Sequence, residues 1–333
     1  MSIAGIHAYK MIQPLSFMKT KITPVFFQAT LLIYFLFMPS ACSFVSHPST
    51  DNQQQGEIKD WDPKIYSHFG IKHAVYESIH NNKDKPAIIL LHQLPGLSKE
   101  TLDYAETLTP SFSVYVPLLF GNVNMNNLIY GFFLYLFSPE WHSGENKPIH
   151  KWVRQLTVDI EKKHPGKHMG VIGMCLTGAL PLALLENTAI NSIVVSQPSL
   201  PLISFNHSSR ASLDLSAHEY SIAKQRTLSG QVKILGLRFQ QDSLAAREKL
   251  TTLKTDFSTA YIDLEICKDD YEKNNIQQRA HSVLIDEWSE NLESTNPIKI
   301  RRQQVLLFFN KRLLKQNIPL PEARSCNTGN DLK

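Results

Sequence analysis

The sequence predicts an α/β domain built on a mostly parallel central sheet with helices on both faces. Three observations lead there. Short β-branched or apolar runs alternate with helical patterns from Ile71 to Leu314. AIILLH (Ala87–His92) is almost continuously apolar, as a central strand buried on both faces must be. A chain of 333 residues, 43% of them hydrophobic, is long enough to bury one large core.

In chain order, Ile71–Ile79 and Ala87–His92 read as the first strands, separated by the turn-rich HNNKDKP. Ser98 caps SKETLDYAETL, where the spacing of Leu102, Ala105 and Leu108 predicts an amphipathic helix. Then follow SVYVP (strand), IHKWVRQLTVDIEKKH (helix), HMGVIG (strand), LTGALPLALLE (helix), INSIVVS and VKILGLRF (strands), LAAREKLTTL (helix), TAYIDLEI (strand) and IRRQQVLLFFNKRLL (helix). Two insertions break the rhythm, near residues 118–150 and 198–230. Insertions of this kind lie beyond the carboxyl ends of strands and shape a site. The first contains NNLIYGFFLYLFSPEW, which reads as an apolar lid, a helix packed into the core or a membrane-contacting patch.

The N-terminal residues 1–42 read as a targeting segment. VFFQATLLIYFLFM (Val25–Met38) follows Lys19 and Lys21 and precedes the small residues Ser40, Ala41 and Cys42, the layout of a signal peptide. MKTK places the expected translation start at Met18. PSAC resembles a bacterial lipobox, which would make Cys42 a lipidated N-terminus at the cell envelope, although Pro39 stands where an aliphatic residue is usual. Ordinary cleavage into the periplasm and an uncleaved membrane anchor are the alternatives. Residues 43–60 are polar and read as a tether, 61–318 as the domain and 319–333 as a C-terminal tail.

The formal charge of +4 comes from 34 basic and 30 acidic residues without a long basic run, which argues against a nucleic-acid partner. Cys42, Cys175, Cys267 and Cys326 form no CxxC pair and have no histidine at metal-ligand spacing, which argues against zinc and against a disulfide scaffold. A Cys267–Cys326 disulfide stays open, because sequence does not give the distance between them.

GVIGMCLTG places Cys175 between a strand and a helix. The flanking Gly173 and Gly178 would let the two backbones meet at a sharp turn that presents the thiol above the sheet, near a helix N-terminus. Thr177 departs from the simplest form of this motif, and an inert buried thiol is the competing reading. Asp242 follows VKILGLRF and His281 follows TAYIDLEI, so nucleophile, acid and histidine come in the chain order of α/β-hydrolases, each past a strand end.

Between about Ala87 and Leu314 the chain resembles the dienelactone hydrolase family, α/β-hydrolases with a cysteine nucleophile. The resemblance is carried by AIILLHQLPGLSKETLDYAETL, SVYVPLLFG, GVIGMCLTG, ILGLRFQQD and AHSVLIDEW. It implies the α/β-hydrolase fold, with Cys175 as nucleophile, His281 as general base and then acid, and Asp242 orienting the imidazole. The oxyanion hole would be the backbone N–H groups of Leu94 and Leu176. Two positions depart from the family. Gln93 lines the site where a glutamate is usual, and Ser282–Ile285 replace a segment whose arginine binds a substrate carboxylate. The second change favours uncharged or hydrophobic substrates. Trp288 would line such a pocket or belong to the core.

The expected activity is hydrolysis of a small-molecule carboxylic ester, lactone or thioester through an acyl-cysteine, with no metal or organic cofactor. The competing classes are a weakly active or inactive binding protein at the cell envelope, motivated by Gln93 and the missing arginine, and a Cys175 redox sensor, which lacks an evident resolving cysteine.

Overall fold

A computed structural model describes residues 58–125, 127–142, 147–201 and 206–326. The targeting segment with Cys42, most of the tether and the last seven residues lie outside them. Eight strands form one sheet among the described residues, in the order β1-β2-β4-β3-β5-β6-β7-β8. They are β1 (Trp61–His68), β2 (Ile71–Ser78), β3 (Ala87–Leu91), β4 (Ser113–Pro117), β5 (Met169–Met174), β6 (Ile190–Ser196), β7 (Lys233–Phe239) and β8 (Tyr261–Ile266). Strands β1, β2 and β4 pair antiparallel, and the ladders from β4 through β3 to β8 are all parallel. Every residue of β3, β4, β5 and β6 is buried, which matches their continuous apolar runs.

Helices α1 (Lys99–Glu106), α2 (Leu128–Leu136), α3 (Pro139–His142), α4 (Pro148–Lys163), α5 (Leu180–Ala183), α6 (His207–Ala211), α7 (Ala217–Leu228), α8 (Arg247–Phe257) and α9 (Pro297–Leu313) fill the connections. Two hydrophobic clusters divide the core. One holds Ile89, Val171 and Ile193 with Trp152 and Leu156 of α4; the other holds Ile88, Ile172 and Val194 with Phe308 and Phe309 of α9. Alternate residues of each strand thus enter opposite clusters, as the two-residue period requires.

The structure departs from the sequence reading in three places. β1 lies before the first expected strand; its mostly exposed WDPKIYSH carries Pro63 and pairs only with β2, so it lacks the apolar run that marks a central strand. LTGALPLALLE is not one continuous helix: a 3-10 turn over Cys175–Thr177 is followed by the four residues of α5. Pro181 has no N–H to donate and interrupts the ladder. The aromatic insertion is not a core helix, because among α2 residues only Gly131 and Tyr135 are buried, while Leu128, Ile129, Tyr130 and Phe133 face solvent. None of the described helices is long and apolar enough to cross a membrane.

Candidate active site

Cys175 stands where β5 turns into the 3-10 helix, with φ at 54° in the left-handed region that a side-chain-bearing residue enters at a cost of about 1–2 kcal/mol. The turn is as tight as the flanking glycines suggest. A Cβ on Gly173 would lie 2.3 Å from the Thr177 carbonyl oxygen, and one on Gly178 would lie 2.6 Å from Pro198 Cα. The Cys175 carbonyl accepts from Gly178 N and Ser199 N, both at 2.9 Å, which holds the residue after the strand in place. The thiol is free and buried. The four residues of α5 give it a weaker dipole than a full helix would.

Thr177, the departure from the glycine motif, is fully buried and tied in on all sides. Its hydroxyl accepts from Met174 N at 3.0 Å and lies 2.9–3.2 Å from the carbonyls of Met174, Leu91 and His92. The side chain therefore fastens the elbow to the end of β3, which a glycine could not do. Thr177→Val keeps the shape and strips the hydroxyl, leaving buried backbone groups unpaired, so a loss of about 1–3 kcal/mol is expected in equilibrium urea unfolding. An unchanged midpoint would show that the hydroxyl contributes nothing.

Asp242 and His281 meet above the same edge of the sheet. Asp242 follows β7 and His281 lies in the loop after β8; Nδ1 of the ring is 2.7 Å from Asp242 Oδ2. The other oxygen, Oδ1, accepts from Leu244 N at 2.9 Å and Ala245 N at 3.1 Å, so the carboxylate cannot rotate freely. Burial disfavours a charged imidazole, but the Asp242 carboxylate and the Cys175 sulfur outweigh it and push His281 up to about 10. The second ring nitrogen, Nε2, is buried and makes no hydrogen bond of ordinary geometry to the described residues. That leaves it to the Cys175 sulfur and to whatever enters the site.

A buried ion pair that sequence reading missed braces the acid. Arg238 of β7 and Glu265 of β8 are directly paired in register and are joined by a 2.7 Å salt bridge. The guanidinium also donates to the carbonyls of Gln240, Asp242 and Ala245, so it grips the Asp242 loop from below. Glu265 Oε2 in turn accepts from Cys326 N at 3.2 Å, and Cys326 is disulfide-bonded to Cys267 with the Cα atoms 5.3 Å apart. Charged residues inside the apolar strands ILGLRF and YIDLEI were the available signal.

On the opposite side of the elbow, the N–H groups of Leu94 and Leu176 donate to no described residue, which leaves both available to an oxyanion. The end of β3 that leads to Leu94 is fixed by His92. Nδ1 of this ring donates to Gln93 O and Nε2 accepts from Leu119 N, both at 3.0 Å; burial lowers it to about 4, so it stays neutral. Gln93 is buried, and its amide donates to both oxygens of Asp286 at 2.8 and 2.9 Å. Its role is thus to tether the segment after His281 to the end of β3. Burial raises the carboxyls of both Asp286 and Glu287, and the His281 imidazolium partly opposes this.

Beside Leu176, a small apolar recess of about 10 Å³ is lined by Ala179, Leu180, Trp141, Leu200 and Leu213 among others. Both insertions therefore reach the turn that carries Cys175. Trp288 does not line this recess; it packs against the second core cluster, with the Arg302 guanidinium 3.9 Å from its ring centre.

No known family model matches the chain, and no curated protein matches it. Solved structures do. A dienelactone hydrolase-like promiscuous phosphotriesterase from metagenomic libraries superposes with a TM-score of 0.52 at 14% identity, over 76% of this chain and 98% of that one. A candidate dienelactone hydrolase of Klebsiella pneumoniae gives 0.48 at 14% identity, over 75% and 99%. The esterase Pf2001 of Pyrococcus furiosus gives 0.47 at 13% identity, over 76% and 93%. With the strand order above, the first of these likenesses establishes the α/β-hydrolase fold for this chain.

Proposed function

We propose that this α/β-hydrolase-fold protein is a dienelactone-hydrolase-like ester hydrolase that works through a Cys175–His281–Asp242 triad. The observation that carries the proposal is the convergence, above one sheet edge, of a cysteine on a strained elbow and an imidazole held at 2.7 Å by a fixed carboxylate. With His281 pushed up to about 10, the imidazole holds a proton at neutral pH that it can pass to the leaving group, and Cys175 beside it is the nucleophile.

Attack on the carbonyl carbon forms a C–S bond and moves the carbonyl electron pair onto oxygen, where the N–H groups of Leu94 and Leu176 receive it. Collapse expels the alcohol or thiol, which takes the His281 proton. The now neutral His281 removes a proton from water, the resulting hydroxide attacks the acyl-cysteine, and collapse releases the acid and restores Cys175 beside the protonated imidazole.

The Ser282–Ile285 segment lacks the arginine with which the resembled family binds a substrate carboxylate, which favours an uncharged or hydrophobic substrate. Small uncharged esters, lactones and thioesters are therefore the expected substrates. The Cys267–Cys326 disulfide supports an oxidising compartment, in keeping with export directed by Val25–Met38 and membrane attachment at a lipidated Cys42.

The test is hydrolysis of short p-nitrophenyl esters and lactones, together with labelling of Cys175 by an ester-like covalent probe at neutral pH. Cys175→Ala is expected to lose at least about a thousandfold in kcat/KM and all of the label. Equal rates in the two proteins would refute the enzyme reading and leave a binding protein.

A further inference from the structure

A cavity of about 650 Å³ opens at the end of the sheet opposite the triad. Its lining comes from His168 just before β5, Asn191 at the start of β6, Gln231 just before β7, Arg226 near the end of α7, and Lys311, Arg312 and Lys315 around the end of α9. Cys175, Asp242 and His281 all lie past the carboxyl ends of strands, so a strand length of about 20 Å separates the two sites.

The lining carries four permanent cationic groups and no carboxylate. None of the four forms a salt bridge with a described residue. Arg226 is explained by the fold: its guanidinium donates to the carbonyls of Leu185, Asn187, Thr188 and Ile190 and to the Gln231 side chain. The other three are not. Arg312 commits only Nη2, to the carbonyls of Asn191 and Gln231, while its Nε is buried without a partner among the described residues. The ammonium groups of Lys311 and Lys315 have no described partner either.

Like charges gathered in one concavity repel each other and raise the local concentration of anions. That repulsion is relieved by an anion with several acceptor oxygens, and a volume of about 650 Å³ is that of a small-molecule site rather than a single-ion site.

We infer that the cavity bounded by Arg226, Lys311, Arg312 and Lys315 is a second ligand site, distinct from the hydrolytic one, that binds a phosphate-bearing anion. Phosphate oxygens can accept from the uncommitted Nη1 of Arg312 and from the two lysine ammonium groups together. The phosphate could be carried by a soluble compound or by the headgroup of an anionic lipid, and the two sources present the same chemistry to the cavity.

The full chain would be titrated with sodium tripolyphosphate by calorimetry, and sedimented with vesicles of phosphatidylglycerol beside vesicles of phosphatidylcholine. The wild-type protein is expected to bind one or both anionic probes, and Lys311→Glu/Lys315→Glu to bind them at least tenfold more weakly. A second double variant, Lys83→Glu/Lys273→Glu, makes the same change in net charge on exposed residues that do not line the cavity and is expected to bind like wild type. Melting followed by circular dichroism checks that both variants fold. Binding of tripolyphosphate alone assigns the site to a soluble phosphate compound, and sedimentation with phosphatidylglycerol alone assigns it to a lipid headgroup. Absence of binding to either probe, or equal weakening in the two double variants, overturns the inference.

Discussion

Asp242→Asn is expected to lower kcat/KM for ester hydrolysis by about three to four orders of magnitude, while the protein still folds. The substitution keeps the volume and the Oδ1 acceptor for Leu244 N and Ala245 N, but removes the charge that His281 faces at 2.7 Å. An amide nitrogen turned toward Nδ1 would also force the wrong tautomer. The pH dependence gives a second readout. His281 stands at about 10 against an ordinary 6.5, so the stability gained from its protonated form is fully present below pH 6.5 and is lost as pH rises through about 10. The alkaline limb of the rate profile should fall in the same region. Without the carboxylate the alkaline limb of the rate and the alkaline loss of stability both move toward neutral pH, measurable as rates and melting temperatures between pH 6 and 10. An alkaline limb that stays in place would mean that Asp242 does not set the His281 proton affinity.

Opening the Cys267–Cys326 disulfide is expected to have the largest effect on stability. The bridge closes a loop spanning 59 residues, for which the loss of unfolded-state entropy corresponds to about 4 kcal/mol. In a domain of this size that is on the order of 10 °C in melting temperature. Calorimetry with and without a phosphine reductant, repeated on Cys267→Ser/Cys326→Ser, checks the value; Cys175 is a free thiol in both conditions. Reduction should also lower hydrolytic activity below the melting transition, because Cys326 N supports Glu265 and Glu265 holds the arginine that grips the Asp242 loop. A reduced protein that melts and turns over like the oxidised one would remove both claims.

The inner strands were legible because burial on both faces forces an uninterrupted apolar run, and β3 through β6 have one. β1 escaped because an exposed edge strand with a proline has no such signature. Asp242 and His281 were expected past the ends of two strands, and the structure brings them within 2.7 Å of each other because the parallel strands β7 and β8 deliver their ends to one edge. Thr177, His92 and Arg238 were not read as structural supports because their partners are distant in the chain: Leu91 and His92 for Thr177, Leu119 for His92, Glu265 for Arg238. Such roles are set by which backbone groups a turn leaves unpaired, and composition does not show that. The same limit applies to the aromatic insertion, whose apolar residues turned out mostly solvent-facing in α2.

The left-handed backbone at position 175 bears on whether the thiol is a working part or a leftover. Glycine would adopt φ of 54° without the steric conflict that every side chain meets there, and Gly173 and Gly178 show that the elbow already uses glycine where contact demands it. Cysteine holds position 175 against a local conformational penalty, and the nucleophilic role proposed for its sulfur would account for that.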